Sequence, residues 1–193
     1  EEMPVMNLCA FGNSLTAGFG LSVQDSLPGQ LLRRLETDGY GVEIQSHGLS
    51  GDTTSGGLNR IQAALRHQPD LVILELGIND FLMGVPAHEI KRNLERLIQT
   101  CLQAGTLILL AGFQAPPGFS GFQADAFNAL YPDLAQAYTL TLFPDFLHQV
   151  VDNPDLTLPD GLHPNAQGIA FIVNRLAPVV EKLLEAMYSG ENT

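Results

Sequence analysis

Apolar residues come along this chain in two alternating kinds of run. Short, nearly continuous runs cover Val5–Phe11, Leu71–Leu76, Thr106–Ala111 and Tyr138–Phe143, and a fifth segment, Val42–Ser46, alternates apolar with polar positions. Runs of this length predict strands: the continuous ones buried on both faces, the alternating one at a sheet edge. Leu71–Leu76 is the most apolar and is expected at the centre of the sheet. Between them, apolar residues recur at helical spacing. Leu31, Leu32 and Leu35 mark a helix from about Leu27 to near Gly39, and Leu58, Ile61 and Leu65 mark one over Thr54–His67. Ile90, Leu94, Leu97, Ile98, Cys101 and Leu102 trace a third stripe, stopped by Gly105. A fourth helix is expected from Phe122 to about Ala137. The last helix is the clearest, with Ile169, Ile172, Val173, Leu176, Val180, Leu183, Leu184 and Met187 on one face.

Strands alternating with helices predict βαβ units joined by right-handed crossovers, and a parallel sheet covered on both faces. The expected architecture is α/β, with five parallel strands in the flavodoxin-like order 2-1-3-4-5. No repeat, linker or shift of composition divides the chain, so residues 1–193 are expected to form one domain. In an open sheet of this order the ligand crevice lies beside the first strand, at the carboxyl ends of the strands.

Composition narrows the possible partners. The 193 residues are 45% hydrophobic, enough for a substantial core, and carry a formal net charge of −12. That charge argues against nucleic acid and against anionic membrane surfaces, and it favours neutral substrates. No run approaches the roughly 18 consecutive apolar residues of a spanning helix, so stable membrane insertion is not expected. Cys9 falls in the first strand and Cys101 on the apolar stripe of a helix, where both read as small core hydrophobes. The chain starts at Glu1, just ahead of its first strand, which fits a cytoplasmic protein or the mature form of an exported one.

Candidate chemistry gathers at the strand ends. The first strand runs into Phe-Gly-Asn-Ser-Leu-Thr-Ala-Gly, residues 11–18, a sharp turn that leaves Ser14 at the edge of the crevice. Taken alone, this stretch reads equally well as a turn with Ser14 capping a helix. Asp160-Gly161-Leu162-His163, far downstream, changes the balance. The three-residue offset lets Asp160 accept from one imidazole nitrogen of His163 and leaves the other facing Ser14 as general base. After the second strand come Gly48-Leu49-Ser50-Gly51-Asp52-Thr53, whose glycines let a bare backbone N–H approach a substrate, or which form a plain turn with Asp52 or Thr53 as helix cap. After the third come Gly77-Ile78-Asn79-Asp80, where the Asn79 amide could donate to a developing oxyanion, or which form a plain asparagine-containing turn. His47, His67, His88 and His148 are scattered without metal-ligand spacing, and no metal or organic cofactor is expected.

Together these four stretches resemble the sequence blocks of the SGNH (GDSL-type) hydrolases, in the same order and over nearly the whole chain. The likeness is greatest to the small bacterial arylesterases and the multifunctional thioesterase/lysophospholipases of that family. It implies a three-layer α/β/α sandwich, with Ser14 as nucleophile, His163 as base and Asp160 as its orienter. It also implies an oxyanion hole of the Ser14 N–H, the Gly51 N–H and the Asn79 side chain. The first block departs from the family pattern, with Asn13 where the family usually has aspartate. Asparagine keeps the shape of that side chain and removes a charge beside the nucleophile. The implied reaction is hydrolysis of aryl esters, of short to medium acyl esters, and of acyl thioesters or lysophospholipids, by a monomer located in the periplasm or outside the cell.

Phe81, Leu82 and Met83 follow the third block directly, and Pro116, Pro117, Phe119 and Phe122 lie after the fourth strand; both segments are expected to overhang the crevice and give it an apolar pocket. Leu162, between Asp160 and His163, is expected at its rim. Two rivals remain open: a carbohydrate acetyl esterase, which would want a polar pocket, and a non-catalytic binding module, which would want basic residues near the first loop. That loop has none before Arg33.

Overall fold

The computed structural model describes residues 4–190. Five strands, β1 (Met6–Gly12), β2 (Val42–Gly48), β3 (Leu71–Glu75), β4 (Leu107–Ala111) and β5 (Thr141–Phe143), form one sheet in the order β2-β1-β3-β4-β5. Every neighbouring pair is parallel. β3 lies at the centre with all its residues buried, and the alternating β2 lies at an edge. Both positions follow from apolar content: a strand covered on two faces cannot carry exposed polar side chains.

Helices α1 (Ser14–Ala17), α2 (Leu27–Thr37), α3 (Thr54–Leu65), α4 (Ile78–Leu82), α5 (Ala87–Gln103), α6 (Phe122–Tyr138) and α7 (Ala166–Tyr188) fill the crossovers. α2 packs against α7, while α3, α5 and α6 pack side by side, giving the α/β/α sandwich. Ile90, Leu94, Leu97, Ile98 and Cys101 of α5 are sealed in the core, and Leu102, counted in the same stripe from its spacing, lies 41% exposed. Cys9 and Cys101 are free buried thiols, each pushed up to about 12 by burial.

Two differences from the periodicity have local causes. β5 is three residues long, shorter than its apolar run, because α6 extends to Tyr138 and stops on Thr139 in the left-handed region. The short helices α1 and α4 are too brief to leave a repeat in the sequence. They matter because each starts where a strand ends.

Register brings those ends together. Gly12 pairs with Gly48 on one side and Glu75 on the other, so β1, β2 and β3 finish level. The turns that follow them emerge as neighbours.

Candidate active site

Close packing at the end of β1 creates the first turn. A Cβ on Gly12 would collide with Thr16 Oγ1 and with Glu75, so only glycine fits. Asn13 then caps α1, its Oδ1 accepting from the Leu15 N–H at 3.0 Å. The cap is thus Asn13 and not Ser14, because the residue before the helix holds the non-helical backbone that capping needs. Ser14 becomes the first residue of α1, 8% exposed, with its hydroxyl available for other partners.

Below this turn, Glu75 is fully buried. Its Oε1 accepts from Thr16 Oγ1 at 2.8 Å and from the Asn13 N–H at 3.3 Å. Burial raises this carboxyl to about 8, against the pull of the Thr16 and Asn13 hydrogen bonds.

The ring of His163 reaches Ser14 from the other side of the crevice. Its Nε2 lies 3.1 Å from Ser14 Oγ, and its Nδ1 lies 2.5 Å from Asp160 Oδ2. The other oxygen of Asp160 accepts from the Leu162 and His163 N–H groups, both at 2.9 Å. Desolvation would raise the Asp160 carboxyl; the Leu162 N–H, the His163 ring and the His163 N–H together override it and hold the group down to about 2. An ionised Asp160 at Nδ1 selects the tautomer whose Nε2 lone pair faces the serine hydroxyl. The loop closes on itself through a bridge between Thr157 and Pro164 and joins α7 at Asn165, which caps that helix through the Gly168 N–H. Phe19 lies over the imidazole, 4.4 Å between ring centroids.

The third side of the crevice carries hydrogen-bond donors. Gly51 sits at φ +82°, a conformation that favours glycine, and turns the loop after β2. Among the described residues, neither the Gly51 nor the Ser14 backbone N–H has a protein acceptor. Asn79, in the first turn of α4, donates one amide hydrogen to the Asp52 carbonyl at 2.9 Å, which leaves its second hydrogen unused and its orientation set. Thr53, and not Asp52, caps α3 through the Gly56 N–H. Asp80, 1% exposed, accepts from both the N–H and the hydroxyl of Thr54. Its carboxyl is raised by burial, with the Thr54 hydrogen bonds opposing.

The hollow at Ser14 is shallow, about 20 Å³, with apolar walls from Leu15, Ile78, Leu82, Leu147 and Leu162. A larger hollow of about 350 Å³ shares Ile78 and Leu147 and continues past Pro116, Pro117 and Phe119. Leu82 and Leu162 thus border the crevice as expected, and Pro116 borders its extension. Phe81 does not: it is 5% exposed and stacks on Phe127 at 4.5 Å, because α4 packs that face toward α6. Met83 is 70% exposed and outside both hollows, and Phe122, 90% exposed, borders a separate one beside Ala87 and Lys91. Sequence reasoning missed Leu15 and Ile78, although each adjoins a motif residue, and Leu147 and Phe19, which carry no signal at that level. Another hollow, about 780 Å³ between Thr141 and α7, contains none of these groups.

The GDSL-like lipase/acylhydrolase family matches residues 10–170. An arylesterase of Vibrio mimicus is 35% identical over 178 residues, covering 92% of this chain and 89% of its own. The thioesterase 1/protease 1/lysophospholipase L1 of Escherichia coli is 32% identical over 178 residues, covering 92% of this chain and 84% of its own. The crystal structure of TesA superposes with a TM-score of 0.88 at 31% identity, covering 92% of this chain and 99% of that one.

Proposed function

The chain belongs to the GDSL-like lipase/acylhydrolase family and is a carboxylic ester hydrolase, and on that premise we propose that it works by acyl transfer through Ser14. Ser14 Oγ attacks the ester carbonyl while His163 Nε2 takes its proton. The tetrahedral oxyanion is met by the Ser14 and Gly51 N–H groups and the free amide hydrogen of Asn79. Collapse expels the alcohol or thiol, which His163 protonates. Water then attacks the acyl-enzyme by the same route, with His163 as base again. Asp160 stays ionised throughout and stabilises the imidazolium.

The carrying observation is the unbroken line Asp160–His163–Ser14, at 2.5 and 3.1 Å, opening onto two backbone donors with no other acceptor among the described residues. Walls of leucine and isoleucine at Ser14 favour aryl and short to medium acyl groups, and the adjoining hollow gives longer chains of thioesters or lysophospholipids a place to lie. The adjoining hollow also carries Gln114, Asp145, His148 and Gln149, so the leucine and isoleucine walls at Ser14 are what favour this reading over a sugar acetate. All members of the proposed set lie within this one chain, and the family resemblance supports an exported enzyme.

Hydrolysis of p-nitrophenyl esters from acetyl to palmitoyl, by wild type and Ser14→Ala, is the test. The wild type is expected to turn over a band of chain lengths, while the folded mutant loses at least about three orders of magnitude in kcat. Equal activity in the two proteins would remove Ser14 from the mechanism.

A further inference from the structure

Arg60 lies on α3, outside every block of sequence that marks the crevice and in none of its walls. Yet its guanidinium is fully engaged close beside it. Nε donates to Asp52 Oδ2, Nη1 to the His47 carbonyl and Nη2 to the Gly12 carbonyl, each at 2.7 Å. The guanidinium plane also rests over the Phe11 ring, 4.3 Å from its centroid. Gly12 is the last residue of β1, His47 is the last but one of the neighbouring β2, and Asp52 closes the loop that contains Gly51. One planar cation thus holds the end of the strand that leads to Ser14, the end of the edge strand, and the loop between them. Lysine, with a single nitrogen, could not span the three acceptors.

Asp52 carries the connection further. Its side chain is 8% exposed and packs against α3 at Gly56, where a Cβ would strike it. Its carbonyl is the acceptor that orients Asn79. The Gly12 carbonyl accepts from the Leu49 N–H as well, at 3.0 Å, so the loop is pinned at both of its ends to the turn of the nucleophile. Between those pins the turn closes on itself, the Asp52 N–H donating to the Leu49 carbonyl at 3.1 Å, and Gly51 has no neighbour within 4 Å of where a Cβ would stand, so the turn depends on its pins and not on packing for its placement.

We propose that Arg60 is a positioning residue for ester hydrolysis, locking the Leu49–Asp52 loop and, through Asp52, the Asn79 amide onto the strand end that carries Ser14. The proposal rests on the assignment of Ser14, Gly51 and Asn79 made above. Donors of this kind act on charge that exists only in the transition state, so their misplacement costs turnover and leaves substrate binding alone. Arg60 touches no wall of the hollow, so the same selectivity passes to it.

Kinetics on p-nitrophenyl butyrate with Arg60→Ala, Arg60→Lys, Asp52→Asn, Asn79→Ala and the double variant Arg60→Ala/Asn79→Ala test it, with Ser14→Ala as reference and circular dichroism to confirm folding. Arg60→Ala is expected to lose roughly 100-fold in kcat, the scale of a displaced catalytic geometry, with KM within about threefold of wild type. Arg60→Lys should recover only a small part of this. Millimolar methylguanidinium should restore turnover to Arg60→Ala and leave Ser14→Ala silent. The double variant should lose less than the product of its single losses, because both act through one donor. If Arg60→Ala fails to fold, Asp52→Asn decides: a kcat-selective loss upholds the proposal and unchanged kcat overturns it.

An Arg60→Ala enzyme within about threefold of wild-type kcat, a loss that falls equally on KM, losses that multiply, or no rescue by methylguanidinium would each overturn the role of Arg60. Those outcomes leave the site itself standing as long as Ser14→Ala is silent and Asn79→Ala crippled. Normal activity in Ser14→Ala or Asn79→Ala would instead overturn the site assignment.

Discussion

The two halves of the crevice are built in opposite ways. On the donor side, the turns after β1, β2 and β3 are held by polar side chains from other elements: buried Glu75 under Asn13 and Thr16, buried Asp80 under Thr54, and Arg60, its side chain 23% exposed, across two strand ends. Glu75 and Asp80 are 0% and 1% exposed. On the base side, His163 and Asp160 stand on a long irregular segment between β5 and α7, with side chains 23% and 41% exposed. That segment is tied largely by its own short-range hydrogen bonds, and Asp145, Gln149 and Asp152 along it adopt left-handed backbone. Donors aimed at a transient charge must be preorganised and shielded from water, since reorganising them would consume the advantage they provide. A base that must accept, hold and return a proton can stand nearer solvent. Disturbing the base side should therefore cost activity alone, and disturbing the donor side should cost stability too.

The largest expected effect is on the base side. Asp160→Asn keeps the shape of the loop but removes the charge that selects the His163 tautomer, and kcat should fall by up to about 10⁴-fold. Thermal unfolding should barely change, because the group is largely exposed; a large fall in Tm would blur the distinction between the halves. Asn79→Ala comes next, with a loss of about 10²–10³-fold in kcat at nearly constant KM. Near-normal turnover would remove Asn79 from the donor set.

Glu75 sharpens the comparison through pH. Its folded carboxyl, at about 8, lies above its ordinary value of 4.5. The folded state therefore holds a proton that the unfolded state releases in between. Stability from this group is complete below about pH 4.5 and declines as pH rises through about 8, by an amount on the order of a few kcal/mol. Urea unfolding of wild type and Glu75→Gln across that range should show a slope in the first and a flatter profile in the second. Parallel slopes would show that Glu75 does not titrate with folding. Asp160 has the opposite sign, stability present above its ordinary 3.8 and lost as pH falls toward 2, but solvent screening of this exposed group keeps its contribution small, in line with the small change in Tm expected for Asp160→Asn. Leu162→Ala should have the smallest effect, a rise in KM of a few-fold for butyrate and longer esters with kcat little changed, checked by the same assays.

Much of this was legible before any coordinates. Asp160 and His163 lie three residues apart, so their contact is local and spacing alone predicts it. Ser14, Gly51 and Asn79 each occupy a turn after an apolar strand, and parallel strands must end on one edge. Arg60 was invisible because its partners Gly12 and His47 are main-chain carbonyls, which leave no mark in composition. Phe81 was misdirected, since adjacency to Asn79 says nothing about which way a one-turn helix faces. Leu147 contributes a wall from a segment with no periodicity at all.

By itself the sequence determined the number and order of the elements, the parallel sheet and the turns where chemistry gathers, because those depend on hydrophobic period and on local backbone preference. The tertiary structure decided how the turns meet: the level register of Gly12, Gly48 and Glu75, the reach of Arg60 across them, and the 3.1 Å that joins Ser14 to a histidine 149 residues away. Those depend on packing between elements distant in sequence, where the free energy of an arrangement belongs to pairs of residues and not to either residue alone.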